Sequence, residues 1–160
     1  MKRSIAFFVL MFVQLAAHAQ MQTFGDARSK GGDFGLGLLL GDPVGISAKF
    51  FLTPSTAFDL GVGYGYSDGD SDGFQVHADY LIHPHVFERN EDFSVSWFTG
   101  AGGALILSDD PNINVRVPLG VNFTFMEVPI ETFIEFAPGL ELVDDFGFAF
   151  DGGIGARYYF

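Results

Sequence analysis

The sequence predicts an all-β protein, an eight-stranded antiparallel up-and-down transmembrane β-barrel, and three observations lead to this prediction. Apolar and polar residues alternate along most of the chain, as side chains do on the two faces of a strand. Hydrophobic residues make up 48% of the chain and include 20 Phe, yet after residue 19 no apolar run approaches the length of a spanning helix. Because only helices and closed barrels satisfy their backbone groups in lipid, a barrel is the expected solution.

The first 19 residues have the order of a secretory signal peptide. Lys2 and Arg3 precede an apolar run over residues 5–13, and Ala17-His18-Ala19 supplies the small residues of a cleavage site. That run is well short of the ~20 residues that a membrane-anchoring helix needs. We therefore expect a cleaved signal peptide over residues 1–19, a flexible N-terminal tail over 20–32 and an outer-membrane barrel domain over 33–160.

Charge and composition exclude some functions. The formal net charge is −12, and loss of Lys2 and Arg3 with the signal peptide would make it −14. Such a chain is a poor partner for nucleic acid, whose binding needs clustered Lys and Arg. The sequence has no Cys, so an exported protein of this kind is held by packing and backbone hydrogen bonds rather than disulfides.

Eight alternating segments separated by turn residues are the predicted strands. They span residues 33–41, 44–52, 55–66, 73–82, 93–107, 113–125, 130–142 and 147–160. Most reach the ~9–11 residues with which a tilted strand crosses a bilayer.

The position of the charges in each segment predicts which face points outward. In the second to fourth segments Lys49, Asp59, His77 and Asp79 lie opposite an apolar face, and in the sixth Arg116 does. In the seventh, Glu131, Glu135 and Glu141 share one parity, and in the eighth Asp151 and Arg157 do. No charged side chain falls on the apolar parity of these segments, where Arg or Lys near mid-membrane would cost roughly 2–4 kcal/mol. A soluble barrel, the competing class, places apolar residues inside and charges outside.

The inward parity predicts a packed interior rather than an open pore. Many glycines, including Gly35, Gly37, Gly61, Gly102 and Gly120, fall on it and make room for larger side chains in a narrow barrel. Because buried charges must be paired, we expect a hydrogen-bonded network in the lumen. Its predicted members are Lys49, Asp59, Asp79, Arg116, Glu131, Glu135, Glu141, Asp151 and Arg157.

An even number of strands places both termini on one side, which for this class is the periplasm. The turns that then face outward are acidic and hold Asp42, Asp68, Asp70, Asp72, Asp109, Asp110, Asp144 and Asp145. The segment 83–92 is long for a turn on the periplasmic side.

Five segments of this chain resemble segments of a known class of proteins. They are residues 41–49 (GDPVGISAK), 58–66 (FDLGVGYGY), 77–83 (HADYLIH), 115–125 (VRVPLGVNFTF) and 152–160 (GGIGARYYF). In these stretches the chain resembles small, largely uncharacterised bacterial outer-membrane β-barrel proteins, similar in architecture to OmpA-type and OmpX-type eight-stranded barrels. The resemblance implies the fold and the outer membrane, but no activity.

The C-terminal residues resemble the signal that the barrel-assembly machinery binds. Phe160 is aromatic, with Tyr158, Ala156 and Ile154 at alternate positions before it. The resemblance implies that this machinery and periplasmic chaperones are transient partners. The same aromatic residues also fit a girdle at the membrane interface, and the two interpretations are compatible.

Three clusters carry candidate chemistry. Asp68, Asp70 and Asp72 match the first half of a calcium loop and leave open a weak Ca²⁺ site or a plain acidic hairpin. His83-Pro84-His85 has the spacing of two metal-chelating imidazoles. His77 and Asp79, with Ser94 or Ser96 nearby, would give a nominal Ser-His-Asp hydrolase.

From the sequence we expect a non-enzymatic, monomeric outer-membrane protein with a plugged polar lumen, acidic surface loops and no cofactor. Its partners would be outer-membrane lipids and lipopolysaccharide, whose phosphates a divalent cation would bridge to the acidic loops. Two alternatives remain, a lipid A-modifying enzyme and a narrow ion channel.

Overall fold

The computed structural model describes residues 25–65, 73–108, 111–143 and 147–160. The predicted signal peptide and the candidate calcium ligands Asp68, Asp70 and Asp72 lie outside this part of the chain. So do Asp109, Asp110, Asp144 and Asp145, and with them most of the predicted acidic loops.

The described residues form nine strands and no helix. The strands are β1 (Phe34–Asp42), β2 (Val44–Thr53), β3 (Thr56–Gly65), β4 (Gly73–Arg89), β5 (Phe93–Leu107), β6 (Asn112–Arg116), β7 (Leu119–Phe125), β8 (Ile130–Glu141) and β9 (Phe148–Tyr159). No helix long and apolar enough to cross a membrane occurs in the described ranges.

The strands form a ring in which every pairing is antiparallel. Strands β1 to β5 pair in sequence order, β8 pairs with β9, and β9 pairs with β1. The gap between β5 and β8 is filled by β6 and β7, which follow one another and each pair with both. The predicted all-β antiparallel fold is thus confirmed. We call the end where β1 begins and β9 ends the terminal end, and the other the distal end.

The prediction of eight strands was wrong because the sixth predicted strand is interrupted. Residues 113–125 were expected to be continuous, but they divide into β6 and β7 at Val117 and Pro118. Pro118 has no N–H and cannot donate to the ladder. Its carbonyl still accepts from the N–H of Gly100 at 3.0 Å, and the N–H of Val117 donates to Pro138 O at 2.9 Å. The break therefore leaves the ring closed.

Strand β4 is longer than predicted, and the expected long turn 83–92 shrinks to residues 90–92. The pairing of β4 with β5 shifts register between Ile82 and His85 and again between Val86 and Glu88. Such bulges accommodate a proline within a strand, which is where Pro84 lies. They also interrupt the period-2 alternation, so the strand predicted from the sequence ended too early, at residue 82.

Side chains on the two faces of the ring differ in chemistry. The outward face carries large apolar residues that remain exposed, for example Leu38 at 62% and Ile134 at 64%. The inward face holds buried polar and charged side chains and, nearer the terminal end, a group of buried aromatic and aliphatic ones.

The described part of the predicted flexible tail packs across the terminal end. The N–H of Ala27 donates to Pro54 O at 2.8 Å, and its side chain is buried against Phe51 and Tyr159. Arg89, in the extension of β4, donates to the carbonyl oxygen of Asp26. Asp26 and Ala27, which belong to the predicted tail, therefore contact the strand ring, and the polar composition of this segment did not indicate these contacts.

Candidate functional site

The interior of the ring holds two clusters of charged side chains. The Arg157 cluster comprises Lys49, Asp59, Glu131 and Arg157, and the Arg116 cluster comprises Asp79, Arg116, Glu135 and Asp151. Their members alternate with outward apolar residues along β2, β3, β4, β6, β8 and β9, so the period of the strand alone directs them inward.

The Arg157 cluster lies closer to the terminal end and is densely hydrogen-bonded. Arg157 donates from Nη2 to both oxygens of Asp59 at 2.7 Å and from Nη1 to Glu131 Oε1 at 2.9 Å. Its Nε and Nη2 also donate to Ser47 Oγ. Lys49 Nζ lies 3.3 Å from Glu131 Oε2, which accepts a further hydrogen bond from the Tyr159 hydroxyl. Every charge in this cluster has an oppositely charged partner.

The Arg116 cluster lies toward the distal end and centres on one guanidinium. Arg116 Nη1 donates to Asp151 Oδ2 at 2.8 Å, and Nη2 donates to Glu135 Oε1. Its Nε lies 3.3 Å from Asp79 Oδ2 without hydrogen-bond geometry. Gln75 Nε2 donates to Asp151 at 2.9 Å. Three carboxylates thus share a single cation.

The two clusters differ in net charge when all groups are ionised. Lys49 and Arg157 balance Asp59 and Glu131, so the Arg157 cluster is neutral. The Arg116 cluster has three carboxylates and one guanidinium, which leaves two negative charges unbalanced. Burial makes uncompensated charge costly, so this imbalance needs a physical explanation.

Glycine provides the space for the largest groups near these clusters. A Cβ at Gly61 would lie 2.1 Å from Cε1 of His77, so the imidazole occupies the place of a side chain. A Cβ at Gly102 would lie 2.1 Å from Asp79 Oδ1. At both positions the inward glycine leaves space for a larger neighbouring side chain, as predicted from the sequence.

An apolar layer separates the Arg157 cluster from the terminal end. Phe51, His83, Phe98 and Tyr159 belong to it, and all four are buried. Lys49 Nζ lies 4.9 Å from the Phe51 ring centre, and the Arg157 guanidinium lies 3.8 Å from that of Phe133. Both aromatic faces stabilise the cations. Phe133 lies on the distal side of Arg157, whereas the layer around Phe51 fills the described interior on the terminal side.

Of the nine predicted network residues, the structure brings eight into the two clusters. Glu141, the ninth, is only half-buried, pairs in register with Asn114 toward the distal end and belongs to none of the ion pairs of the two clusters. Sequence reasoning missed Ser47, Gln75 and Tyr159, which complete the hydrogen bonding. Their positions on the inward parity of the strands were the sequence signal that could have identified them.

The register of β4 and β5 separates the residues of the nominal hydrolase. His77 lies opposite Ala104, whereas Ser96 lies opposite Val86 and Ser94 opposite Arg89. Val86 is nine positions along the strand from His77, which is roughly 30 Å at 3.3 Å per residue. A Ser-His-Asp arrangement from these residues is therefore wrong.

The bulge in β4 also separates the two histidines of the predicted chelate. His83 points inward and packs against Phe51 and Phe98, with Nδ1 3.3 Å from Ser55 O. His85 is exposed and packs edge-on against Phe87. The prediction that both imidazoles share a side was wrong because the register shift between Ile82 and His85 interrupts the alternation.

The four residues of the predicted assembly signal lie together on the outward face. Ile154, Ala156, Tyr158 and Phe160 are exposed, and the rings of Tyr158 and Phe160 are 5.0 Å apart. They form one continuous apolar stripe along β9.

No protein-family model, curated protein or solved structure matches this chain.

Proposed function

We propose that this chain is a non-enzymatic β-barrel protein of the bacterial outer membrane, with a structural or surface-interaction role. The strand ring would be the barrel, its outward apolar face would contact lipid, and its interior would be a plugged polar lumen. Outer-membrane lipids and lipopolysaccharide would be its lasting partners, and the barrel-assembly machinery and periplasmic chaperones its transient ones.

One observation carries this proposal, the inverted distribution of polarity. Within the described strands, Leu36, Leu38 and Leu40 of β1 are exposed, and each of the other strands also has exposed large apolar residues on its outward face. Lys49, Arg116 and Arg157 are at most 2% exposed. Monomeric soluble proteins rarely expose contiguous apolar patches larger than a few hundred Å². A belt around the whole ring is stable only where lipid replaces water.

The interior supports a plugged barrel over a channel. The Arg157 cluster is fully paired, and the buried rings of Phe51 and Phe98 lie on its terminal side. A conducting path needs a continuous polar lining, which this apolar layer interrupts.

A surface role follows from the sequence at the distal end. Asp42 ends β1 there, and the chain between β3 and β4, between β5 and β6 and between β8 and β9 is rich in Asp. Anionic loops and anionic lipopolysaccharide phosphates repel unless a cation lies between them. We expect divalent cations to bridge the two.

Refolding into lipid vesicles tests the proposal. The unfolded chain without residues 1–19 should fold in vesicles into a compact species that migrates faster than the boiled protein on gels. A folded, monomeric protein in buffer without any amphiphile would contradict it.

A pair of arginine variants makes this test specific for the outward face. Leu38→Arg, in the middle of β1, should destabilise the vesicle-bound protein by about 2–4 kcal/mol, since a cation near mid-membrane is costly. Phe34→Arg, at the start of the same strand, should cost only about 0–1 kcal/mol. Equal effects at both positions would contradict a membrane-embedded belt.

The alternative, a lipid A-modifying enzyme, can be distinguished by its reaction product. His77 and Asp79 are buried inside the ring, so neither faces the surface that would meet lipid. Purified barrel incubated with lipid A should leave its mass spectrum unchanged, and loss of acyl chains would replace our proposal with the enzyme.

A further inference from the structure

We propose that His77, Asp79 and Glu135 form a buried binding site for one divalent transition-metal ion in the interior of the ring. The site goes beyond the proposed membrane role and does not depend on it, because the ring interior is the same whatever surrounds the ring.

The first argument is geometric. One ligand atom from each of His77, Asp79 and Glu135 lies within 4.8 Å of the others. Zn²⁺ binds imidazole nitrogen and carboxylate oxygen at about 2.0–2.2 Å, so ligand atoms around one ion are roughly 3–4 Å apart. Side-chain rotations that move these atoms by about an ångström would complete the site.

The second argument is the lack of other partners. His77 is 2% exposed, and its Nδ1 has no hydrogen-bond partner among the described residues. Neither carboxylate oxygen of Asp79 accepts a hydrogen bond there, although Arg116 Nε is 3.3 Å from one of them. Buried polar groups without partners are rare and need an explanation such as an ion.

The third argument is charge. With all groups ionised, the Arg116 cluster would carry two unbalanced negative charges, whereas the Arg157 cluster would be neutral. A divalent ion beside Asp79 and Glu135 would cancel this surplus. Arg116 would stay as a neighbour that orients the carboxylates and anchors Asp151.

The choice of metal follows from the donors. One imidazole nitrogen with two carboxylate oxygens suits Zn²⁺ and similar first-row ions, and it gives three protein ligands with a position left for water. Calcium and magnesium prefer all-oxygen sites.

The carboxyl side chains around the proposed site differ in exposure. The side chains of Glu135 and Asp151 retain 5% and 10% exposure, whereas that of Asp79 has none. An ion would therefore reach Glu135 first and then the fully buried ligands.

Metal titration of the untagged, folded full-length mature chain tests the proposal. After removal of metal with EDTA, calorimetry should show uptake of one Zn²⁺ per chain, and Co²⁺ should give the visible absorption of a nitrogen- and oxygen-ligated ion. His77→Ala should weaken Zn²⁺ binding at least about 100-fold, and Glu135→Gln should weaken it as well. Asp79→Asn gives a third independent variant.

The control is His85→Ala, because His85 is the exposed histidine of β4 and should not affect binding. Folding of each variant is checked by gel migration, and His77→Gln replaces His77→Ala if the latter does not fold. Absence of stoichiometric Zn²⁺ uptake by the folded wild type would overturn the site. It would mean that protons, rather than a metal ion, neutralise the surplus negative charge. Binding lost in His85→Ala but kept in His77→Ala would overturn it too. Vesicle insertion is a separate measurement, so failure of either proposal is recognised on its own.

Discussion

Arg157 on β9 donates from Nη2 to both carboxylate oxygens of Asp59 on β3, at 2.7 Å each. Strands β1 and β2 lie between them in the ring, so this contact spans the interior. This contact joins residues 98 positions apart in sequence. They lie close together because β9 pairs with β1 and so closes the ring.

Arg157→Ala should therefore be strongly destabilising. It leaves Asp59 and Glu131 buried with only Lys49 to balance them, and breaking a buried ion pair costs about 3–5 kcal/mol. Arg28→Ala is the matched control, because Arg28 pairs with Asp26 at a half-exposed site where an ion pair contributes about 1 kcal/mol or less. Urea unfolding of the refolded proteins measures both, and similar losses would contradict the network.

Two aspartates that are register partners should respond in opposite directions to the same change. Asp59 and Asp79 are paired across β3 and β4 and equally buried, but only Asp59 accepts hydrogen bonds from an arginine. Asp59→Asn should lower the free energy of unfolding, since it unbalances a neutral cluster. Asp79→Asn should raise it by about 1 kcal/mol in EDTA, since it removes surplus buried charge. Changes of the same sign in the free energy of unfolding of the two variants would refute this charge distribution.

Gly61→Ala should be destabilising because the imidazole of His77 occupies the position of the new methyl group. The expected loss is about 1–3 kcal/mol, the usual cost of overpacking. At Gly103 the nearest atom to an added Cβ is 3.1 Å away, so Gly103→Ala is the milder control. Adding His77→Ala to Gly61→Ala should recover part of the loss in a double-mutant cycle. Full additivity would mean that the two residues do not compete for space.

The wild-type protein should give no single-channel steps in planar bilayers. Arg116→Ala and Glu135→Ala should be equally silent, because Phe51 and Phe98 still fill the terminal side of the interior. Steps that appear in the wild type and change in these variants would favour the ion channel.

The sequence predicted the strands best where alternation is uninterrupted. The predicted bounds 93–107 match β5, and those of the seventh and eighth strands differ from β8 and β9 by at most one residue at each end. It failed at Pro118 and at His83-Pro84-His85, where a missing N–H or a bulge interrupts the period of 2.

The candidate site was only partly predictable for a different reason. Parity directs His77, Asp79 and Glu135 inward, but their closeness depends on how β4 and β8 are staggered around the ring. Alternation along one strand contains no information about that stagger, so His77 could not be placed beside Glu135 from the sequence.

The central claim, that the outward face contacts lipid, is tested most directly by tryptophan quenching. Trp97 is the single Trp of the chain, so Trp97→Phe with Leu38→Trp leaves one fluorophore at the middle of the exposed face of β1. In vesicles of lipids brominated on their acyl chains, this tryptophan should be strongly quenched and shielded from acrylamide in water. Full acrylamide quenching with no effect of the bromines would contradict the claim.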